Sequence, residues 1–137
     1  MFKNLFKDYG VFEQIMANRY HFKLISILWW IYNKYDMFIT CGYRSGDNGV
    51  HGSDPCRGVD LRSWFLEDPQ AVANDINAHW QYDPARADKK CAKFHAVCSK
   101  CKKSNDGPIV THCRHCGEEL TGWHIHIQSH PNTVKVN

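Results

Sequence analysis

Two stretches of the sequence decide the fold, and the first runs Thr40-Cys41-Gly42-Tyr43-Arg44-Ser45, through His51, to Arg57-Gly58-Val59-Asp60-Leu61-Arg62. The second is Trp123-His124-Ile125-His126-Ile127-Gln128, near the C-terminus. A histidine and an aspartate from the first stretch, joined by a histidine from the second, would form a metal site with three protein ligands. Three ligands and one open position are typical of catalytic zinc, whereas structural zinc is closed by four ligands.

Length and composition indicate one globular domain. A chain of 137 residues with 43% hydrophobic and 23% charged residues can bury a core without disulfides. The longest apolar run, Leu24 to Ile31, is far shorter than the roughly 20 residues that cross a bilayer. The N-terminal residues lack the apolar core of a secretory signal. We therefore expect synthesis in the cytoplasm, with any outside target reached by another route.

The cysteine count argues against a disulfide framework. Seven cysteines is an odd number, and the sequence predicts no export signal. Three of the seven are isolated, and we predict that they are small buried groups rather than nucleophiles. They are Cys41, Cys56 and Cys91. A disulfide between Cys41 and Cys56 is the minor alternative.

The other four cysteines form two CxxC pairs separated by eleven residues, with Gly117 directly after the second pair. Each CxxC turn presents two thiolates at an angle that fits half of a tetrahedron, and the separation allows a hairpin between them. The pattern predicts a zinc ribbon with a structural ion. Its ligands are Cys98, Cys101, Cys113 and Cys116, and the nearby histidines that could substitute for one of them are His95, His112 and His115.

Apolar spacing and start signals predict four helices. The first lies around Val11 to Arg19, and the second, His21 to Tyr35, carries one buried stripe of helical period. Asp68-Pro69 and Asp83-Pro84 each begin a further helix, with Asp as the N-cap and Pro at the first position. The last of these helices is predicted to run through about Phe94.

Three short strands are predicted around the two stretches. They are Met37 to Thr40, Val59 to Ser63 and Trp123 to Gln128, with a loop rich in Gly, Asp and Asn from Gly42 to Pro55. Alternate side chains of a strand share a face, so His124 and His126 project together. Taken singly, each of these histidines also fits a structural role.

Considered singly, Asp60 indicates a metal ligand more strongly than His51 does. Asp60 lies beside apolar neighbours, where a carboxylate needs a partner or a metal to be tolerated. A salt-bridged or surface aspartate is the alternative interpretation. His51 lies in a polar loop and by itself indicates nothing. The joint occurrence of both residues with His-x-His is what favours a metal site.

Here the chain resembles the zinc D-alanyl-D-alanine carboxypeptidases and the phage L-alanyl-D-glutamate endopeptidases. The shared motifs are Gly42-Tyr43-Arg44-Ser45, His51, Arg57-Gly58-Val59-Asp60-Leu61 and the C-terminal His-x-His, within residues 37–63 and 120–128. The wider group includes lysostaphin-type peptidases and the Hedgehog N-terminal domain. The resemblance implies a single α+β domain over residues 1–137. A small antiparallel sheet would carry the zinc ligands between flanking helices, with residues 95–120 as an inserted zinc-ribbon hairpin.

The resemblance also assigns roles by position. His51 and Asp60 match the first two zinc ligands, and Arg44 matches the arginine that holds the substrate carbonyl or the developing oxyanion. In relatives with His-x-His, the second histidine binds zinc and the first assists the chemistry. His126 is thus the third ligand, and His124 is the base or transition-state stabiliser. The reverse assignment of these two histidines stays open.

Two departures from the family pattern bear on these roles. Eight residues separate His51 from Asp60, where the family usually has six. Many members carry Glu-x-Trp-His, whose glutamate is the general base, but this chain reads Thr121-Gly122-Trp123-His124. Glu119 or Glu118 is an alternative base if it folds back to the site. A zinc-binding relative without activity, as in Hedgehog, is the remaining interpretation.

The function that the resemblance implies is hydrolysis of peptide bonds in the peptidoglycan stem. We expect two zinc ions, one catalytic and one structural, a monomeric chain, and stem peptides as the partner. Whether the L-Ala–D-Glu or the D-Ala–D-Ala bond is cut stays open. A compact chain without a leader suits a phage endolysin that is released to the cell wall through a membrane pore.

A competing prediction is a non-catalytic zinc-ribbon protein that binds nucleic acid. The net charge of +3 is concentrated between Arg86 and Lys103, and such a run attracts anionic polymers, whether nucleic acid or cell wall. Its lysines are Lys89, Lys90, Lys93, Lys100, Lys102 and Lys103. The ribbon has few aromatic residues for base stacking, so we favour structural support and expect no nucleic-acid partner. The competing prediction requires one zinc and salt-sensitive binding.

Overall fold

The computed structural model describes residues 5–136 and confirms the predicted α+β class. The largest unit is a five-stranded antiparallel sheet with the strand order Ile39–Cys41, Gly58–Arg62, His124–Gln128, Ala92–Val97 and Ser104–Asp106, and Trp80–Gln81 pairs with Val134–Lys135 in a separate two-stranded sheet. In chain order the elements are α1 (Tyr9–Ala17), α2 (Phe22–Tyr32), β1 (Ile39–Cys41), a 3-10 turn (Val50–Gly52), β2 (Gly58–Arg62), α3 (Pro69–His79), β3 (Trp80–Gln81), β4 (Ala92–Val97), β5 (Ser104–Asp106), β6 (His124–Gln128) and β7 (Val134–Lys135).

The large sheet has an apolar face and a polar face because alternate residues of a strand point to opposite sides. The apolar face packs against α2 and α3 in one core. The sheet contributes Ile39, Val59, Leu61, Phe94, Ile125 and Ile127, and the two helices contribute Leu24, Ile27, Ile31, Val72 and Ile76. The intervening residues, which include Asp60, His124 and His126, lie on the polar face. The core thus fixes the strands that carry the predicted ligands.

The helix predicted from Asp83 to about Phe94 is wrong. Asp83 instead accepts the Ala85 N–H at 3.0 Å and the Arg86 N–H at 2.8 Å, which closes a turn. Asp followed by Pro also starts a type I turn, so the local signal was ambiguous. The chain then forms β4, which pairs with β5 on one side and β6 on the other. Pairing with distant strands outweighs the local helix signal.

The helix that begins at Pro69 provides a test of the local structure. The Asp68 carboxylate accepts the Ala71 N–H at 3.1 Å and caps this helix, as the sequence predicts. We expect Asp68→Ala to lower the free energy of unfolding by about 1 kcal/mol, because a backbone donor loses its partner. Urea denaturation measures this change. The neighbouring exposed Glu67→Ala is the control, and equal stability of the two variants would contradict the cap.

Candidate metal centres

His51 lies in a loop that packs tightly beside the sheet. Within this loop the Arg44 N–H donates to the His51 carbonyl oxygen at 2.8 Å. Gly52 lies so close to the preceding turn that an added Cβ would be 1.9 Å from the Asp47 carbonyl oxygen. Only glycine fits there, so the path of the loop is fixed. His51 is consequently buried, with 3% of its surface exposed.

Asp60 and His126 lie opposite each other on neighbouring strands. In the register of β2 and β6, Asp60 pairs with His126, and Arg62 pairs with His124. Both histidines lie on the face opposite the buried Ile125 and Ile127, which confirms their predicted common face. The sheet therefore holds a carboxylate beside two imidazoles.

Three atoms of His51, Asp60 and His126 form a compact triangle. His51 Nε2 lies 3.2 Å from Asp60 Oδ1 and 3.3 Å from His126 Nδ1, and the latter lies 3.0 Å from Asp60 Oδ1. In a tetrahedral zinc site with bonds of about 2.0–2.1 Å, ligand atoms lie about 3.3–3.4 Å apart. The triangle therefore has nearly the size of one face of such a site. Although eight residues separate His51 from Asp60 in the sequence, two more than the family usually has, the two side chains lie 3.2 Å apart.

Hydrogen bonds on the far side of each imidazole leave the inner nitrogen free. His51 Nδ1–H donates to the Gly42 carbonyl oxygen at 2.8 Å, so the neutral imidazole carries its lone pair on Nε2. His126 Nε2 lies 3.2 Å from Gln128 Oε1, and a proton on Nε2 that is donated to this oxygen would leave the Nδ1 lone pair to a metal. Gln128 is itself oriented because its Nε2 donates to the Lys90 carbonyl oxygen at 2.8 Å. Such outer partners are typical of metal-binding histidines.

The electrostatics of the triangle favour a cation. Burial acts to raise the pKa of Asp60, but hydrogen bonds with His126 and His51 hold it well below its usual range. Burial acts to lower the pKa of His51, yet the hydrogen bond and charge of Asp60 outweigh it and raise the pKa to about 10. These two shifts mean that the nearly buried Asp60 carboxylate stays ionised and favours a positive charge beside it. A divalent metal supplies that charge while both imidazoles stay neutral.

His124 and His95 extend the polar face beyond the triangle. His124 Nε2 lies 3.6 Å from Asp60 Oδ1 and 3.2 Å from His95 Nε2, and His124 Nδ1–H donates to the Gly122 carbonyl oxygen at 2.8 Å. Burial, and then the neighbouring His124 and His126, lower the pKa of His95 to about 4. His95 lies directly opposite His124 because β4 pairs with β6.

Sequence reasoning placed His95 only beside the ribbon, because it predicted a helix in place of β4. In a strand, Lys93 and His95 alternate with the buried Ala92 and Phe94, as the structure has them. That alternation was the signal available in the sequence.

Two predicted catalytic residues do not join the cluster. The Arg44 guanidinium is half exposed, and its Nη2 lies 3.3 Å from Asp47 Oδ2. Glu119 is exposed and forms a β-bridge with His112 in the ribbon, while the carbonyl oxygen of the exposed Glu118 accepts the Cys113 N–H at 2.7 Å. Backbone contacts with His112 and Cys113 therefore hold both glutamates beside the second CxxC pair.

Cys41 does join the cluster, which the sequence did not predict. Cys41, His51 and Asp60 each offer a ligand atom within 4.8 Å of the other two, and together they could hold a metal ion. Cys41 is half-buried, whereas Cys56 and Cys91 are fully buried as predicted. All three are free thiols, so the minor alternative of a Cys41–Cys56 disulfide is wrong.

The four remaining cysteines also converge and could hold a second ion. Cys98 Sγ lies 3.6 Å from Cys116 Sγ, and Cys101 Sγ lies 3.6 Å from Cys113 Sγ. Tetrahedral zinc with Zn–S bonds of about 2.3 Å separates its sulfurs by about 3.8 Å. Although desolvation opposes the change, N–H donors that include Asn105 lower the pKa of Cys113 to about 5. This favours the thiolate, which is the metal-binding form.

The two CxxC turns have matching backbone geometry. The residue after each pair has a positive φ, 65° at Lys102 and 81° at Gly117. Each donates its N–H at 2.9 Å to the carbonyl oxygen of the first cysteine in its pair, Cys98 or Cys113. A lysine adopts this left-handed conformation only when its surroundings require it. The two turns thus present their sulfurs in equivalent ways to an ion that the four cysteines could hold.

Comparisons with protein-family models, with curated proteins and with solved structures found no match. Among residues 5–136, no helix has the length and apolar character needed to span a membrane.

Proposed function

We propose that this protein is a zinc-dependent peptidase that cleaves the stem peptides of peptidoglycan. The observation that supports it best is the triangle of His51 Nε2, Asp60 Oδ1 and His126 Nδ1, with edges of 3.0–3.3 Å. These side chains come from the motifs that resemble the zinc D-alanyl-D-alanine carboxypeptidases and L-alanyl-D-glutamate endopeptidases. Zinc held there would supply a water of lowered pKa and would polarise the scissile carbonyl.

His124 is the proposed general base. Its Nδ1 proton is committed to the Gly122 carbonyl oxygen, so Nε2 is the atom that accepts a proton from the attacking water. The same nitrogen lies 3.6 Å from Asp60 Oδ1, beside the three proposed ligands. His124 then returns the proton to the leaving amine. His95 Nε2 lies 3.2 Å from His124 Nε2 and is the donor of that contact, so His95 must release the His124 nitrogen before His124 accepts a proton.

Arg44 is the proposed partner of the substrate carbonyl or of the developing oxyanion. Its present ion pair with Asp47 does not prevent this role, because the guanidinium is half exposed. Exposed ion pairs of this kind contribute only about 0–1 kcal/mol. The interaction of Arg44 with a bound substrate would therefore compensate for the loss of the ion pair with Asp47.

Substitution of His124 separates its role from that of the ligands. We expect His124→Gln to retain two zinc ions per chain and to lower kcat by about 100- to 10,000-fold, as loss of a general base does. The matched control is His112→Gln, which changes an exposed histidine in the ribbon. Loss of one zinc in His124→Gln would instead make His124 a ligand, and an unchanged kcat would exclude it as the base.

Digestion of purified peptidoglycan tests the proposed activity. The zinc-loaded protein is expected to release fragments whose masses, measured by mass spectrometry, identify one cleaved stem bond. Intact stem peptides after prolonged digestion would contradict the peptidase. The nucleic-acid alternative predicts one zinc per chain and DNA or RNA binding that weakens steeply with salt. The peptidase predicts two zinc ions, so the metal count separates the two functions.

A further inference from the structure

We propose that Cys41 is a fourth, displaceable ligand of the metal held by His51, Asp60 and His126. The inference rests on the proposed zinc centre and concerns its regulation. With the thiolate bound, the site has four protein ligands, as structural zinc sites do, and no position for water. The resting site is thus closed, and the peptidase is active only when Cys41 leaves the metal.

An irregularity in the sheet turns Cys41 toward the site. β1 and β2 pair Ile39 with Leu61 and then Cys41 with Asp60, so two residues of β1 advance against one residue of β2. Without this bulge, Cys41 would share the apolar face with Ile39. Bulges near functional sites commonly redirect a side chain in this way. Thr40, the extra residue, donates its hydroxyl to the Asp60 carbonyl oxygen at 3.3 Å.

The distances suit coordination. Cys41 Sγ lies within 4.8 Å of a ring nitrogen of His51 and a carboxylate oxygen of Asp60. A tetrahedral zinc with one sulfur at about 2.3 Å and nitrogens at about 2.0–2.1 Å separates these atoms by about 3.6 Å. The thiol also lies 3.7 Å from the Gly42 carbonyl oxygen, which accepts the His51 Nδ1 proton. His126 is not in that group, so the cysteine side chain must turn toward His126 Nδ1 before the four ligand atoms can form a tetrahedron.

Displacement of Cys41 needs no outside reactant other than water. If Cys41 held the metal as a thiolate, its release would let water take the position, and the proton lost by that water would neutralise the sulfur. The thiol that results is neutral and half-buried. Removal of the sulfur by substitution should leave the site permanently open, with its three remaining ligands in place.

Cadmium NMR tests this proposal because the ¹¹³Cd shift moves downfield with each sulfur ligand. The cadmium-loaded wild type is expected to give two resonances, one from the four ribbon cysteines and one from the second centre. Cys41→Ser should move only the second resonance upfield, and Cys41→Ala should do the same. The control Cys91→Ala changes a buried thiol outside the site and should leave both resonances in place. The ribbon resonance reports in every variant that the chain is folded.

The outcomes distinguish this inference from the proposed function. A second resonance that is present but unmoved in Cys41→Ser would overturn the role of Cys41 and leave the zinc centre standing. A wild type that binds only one cadmium would overturn the zinc centre and Cys41 together. Zinc-loaded Cys41→Ser should also hydrolyse peptidoglycan faster than the wild type. Equal or slower hydrolysis would overturn the closed resting state.

Discussion

Replacement of Asp60 by asparagine is expected to remove one of two zinc ions per chain and to lower peptide hydrolysis by at least about 1,000-fold. Asp60 Oδ1 lies within 3.2 Å of His51 Nε2 and of His126 Nδ1, and it is the only anion in the triangle. Asparagine has the same shape but lacks the charge that offsets a divalent ion. The chain without zinc then lacks a water of lowered pKa.

Metal content and hydrolysis rate measured on the same sample check this result. The matched control is Asp75→Asn, which changes a carboxylate that also contacts a histidine, His79, but lies on α3. This control should keep two zinc ions and the wild-type rate. Two zinc ions in Asp60→Asn, or a rate within tenfold of the wild type, would contradict the role of Asp60.

Replacement of Cys113 by serine is expected to remove the other zinc and to destabilise the ribbon. Structural zinc in small ribbons and fingers contributes about 10–16 kcal/mol of apparent folding free energy. The buried cluster of this segment is small and consists of Ala96, Cys98, Cys113 and Leu120, with Cys101, Val110 and Trp123 packed against it. A net loss of about 3 kcal/mol would lower the melting temperature by roughly 10 °C.

Hydrogen exchange shows where that loss occurs. Amides of β5 and of the end of β4 should exchange much faster in Cys113→Ser. The first CxxC pair connects these two paired strands, so loss of the metal would loosen their ends, whereas the pairing of β4 with β6 should persist. Lys100→Ala, at an exposed position within the first CxxC turn, is the control and should retain both zinc ions. Unchanged exchange in β5 together with two zinc ions would contradict a structural metal at the four cysteines.

The local features of the site could be predicted from the sequence because they depend on short-range periodicity. Alternation alone places His124 and His126 on one face of β6, and the apolar neighbours of Asp60 place it in a strand. The CxxC spacing brings each pair of sulfurs together without reference to the rest of the chain. The cap at Asp68 is likewise a local signal.

The long-range features could not be predicted in the same way. The strand that carries His95 is stabilised by pairing with β5 and β6, while its preceding residues carry a helix start signal. Cys41 reaches the polar face only through a bulge, which depends on its partner strand. Glu119 was a plausible base by proximity in sequence, but the ribbon hairpin directs its backbone elsewhere.

Anomalous scattering from a crystal, recorded at the zinc absorption edge, tests the convergence of three side chains on one ion most directly. We expect two peaks, one among the four cysteine sulfurs and one about 2.0–2.1 Å from His51 Nε2, Asp60 Oδ1 and His126 Nδ1. A single peak at the cysteines, with the His51, Asp60 and His126 side chains bonded only to one another, would contradict the account.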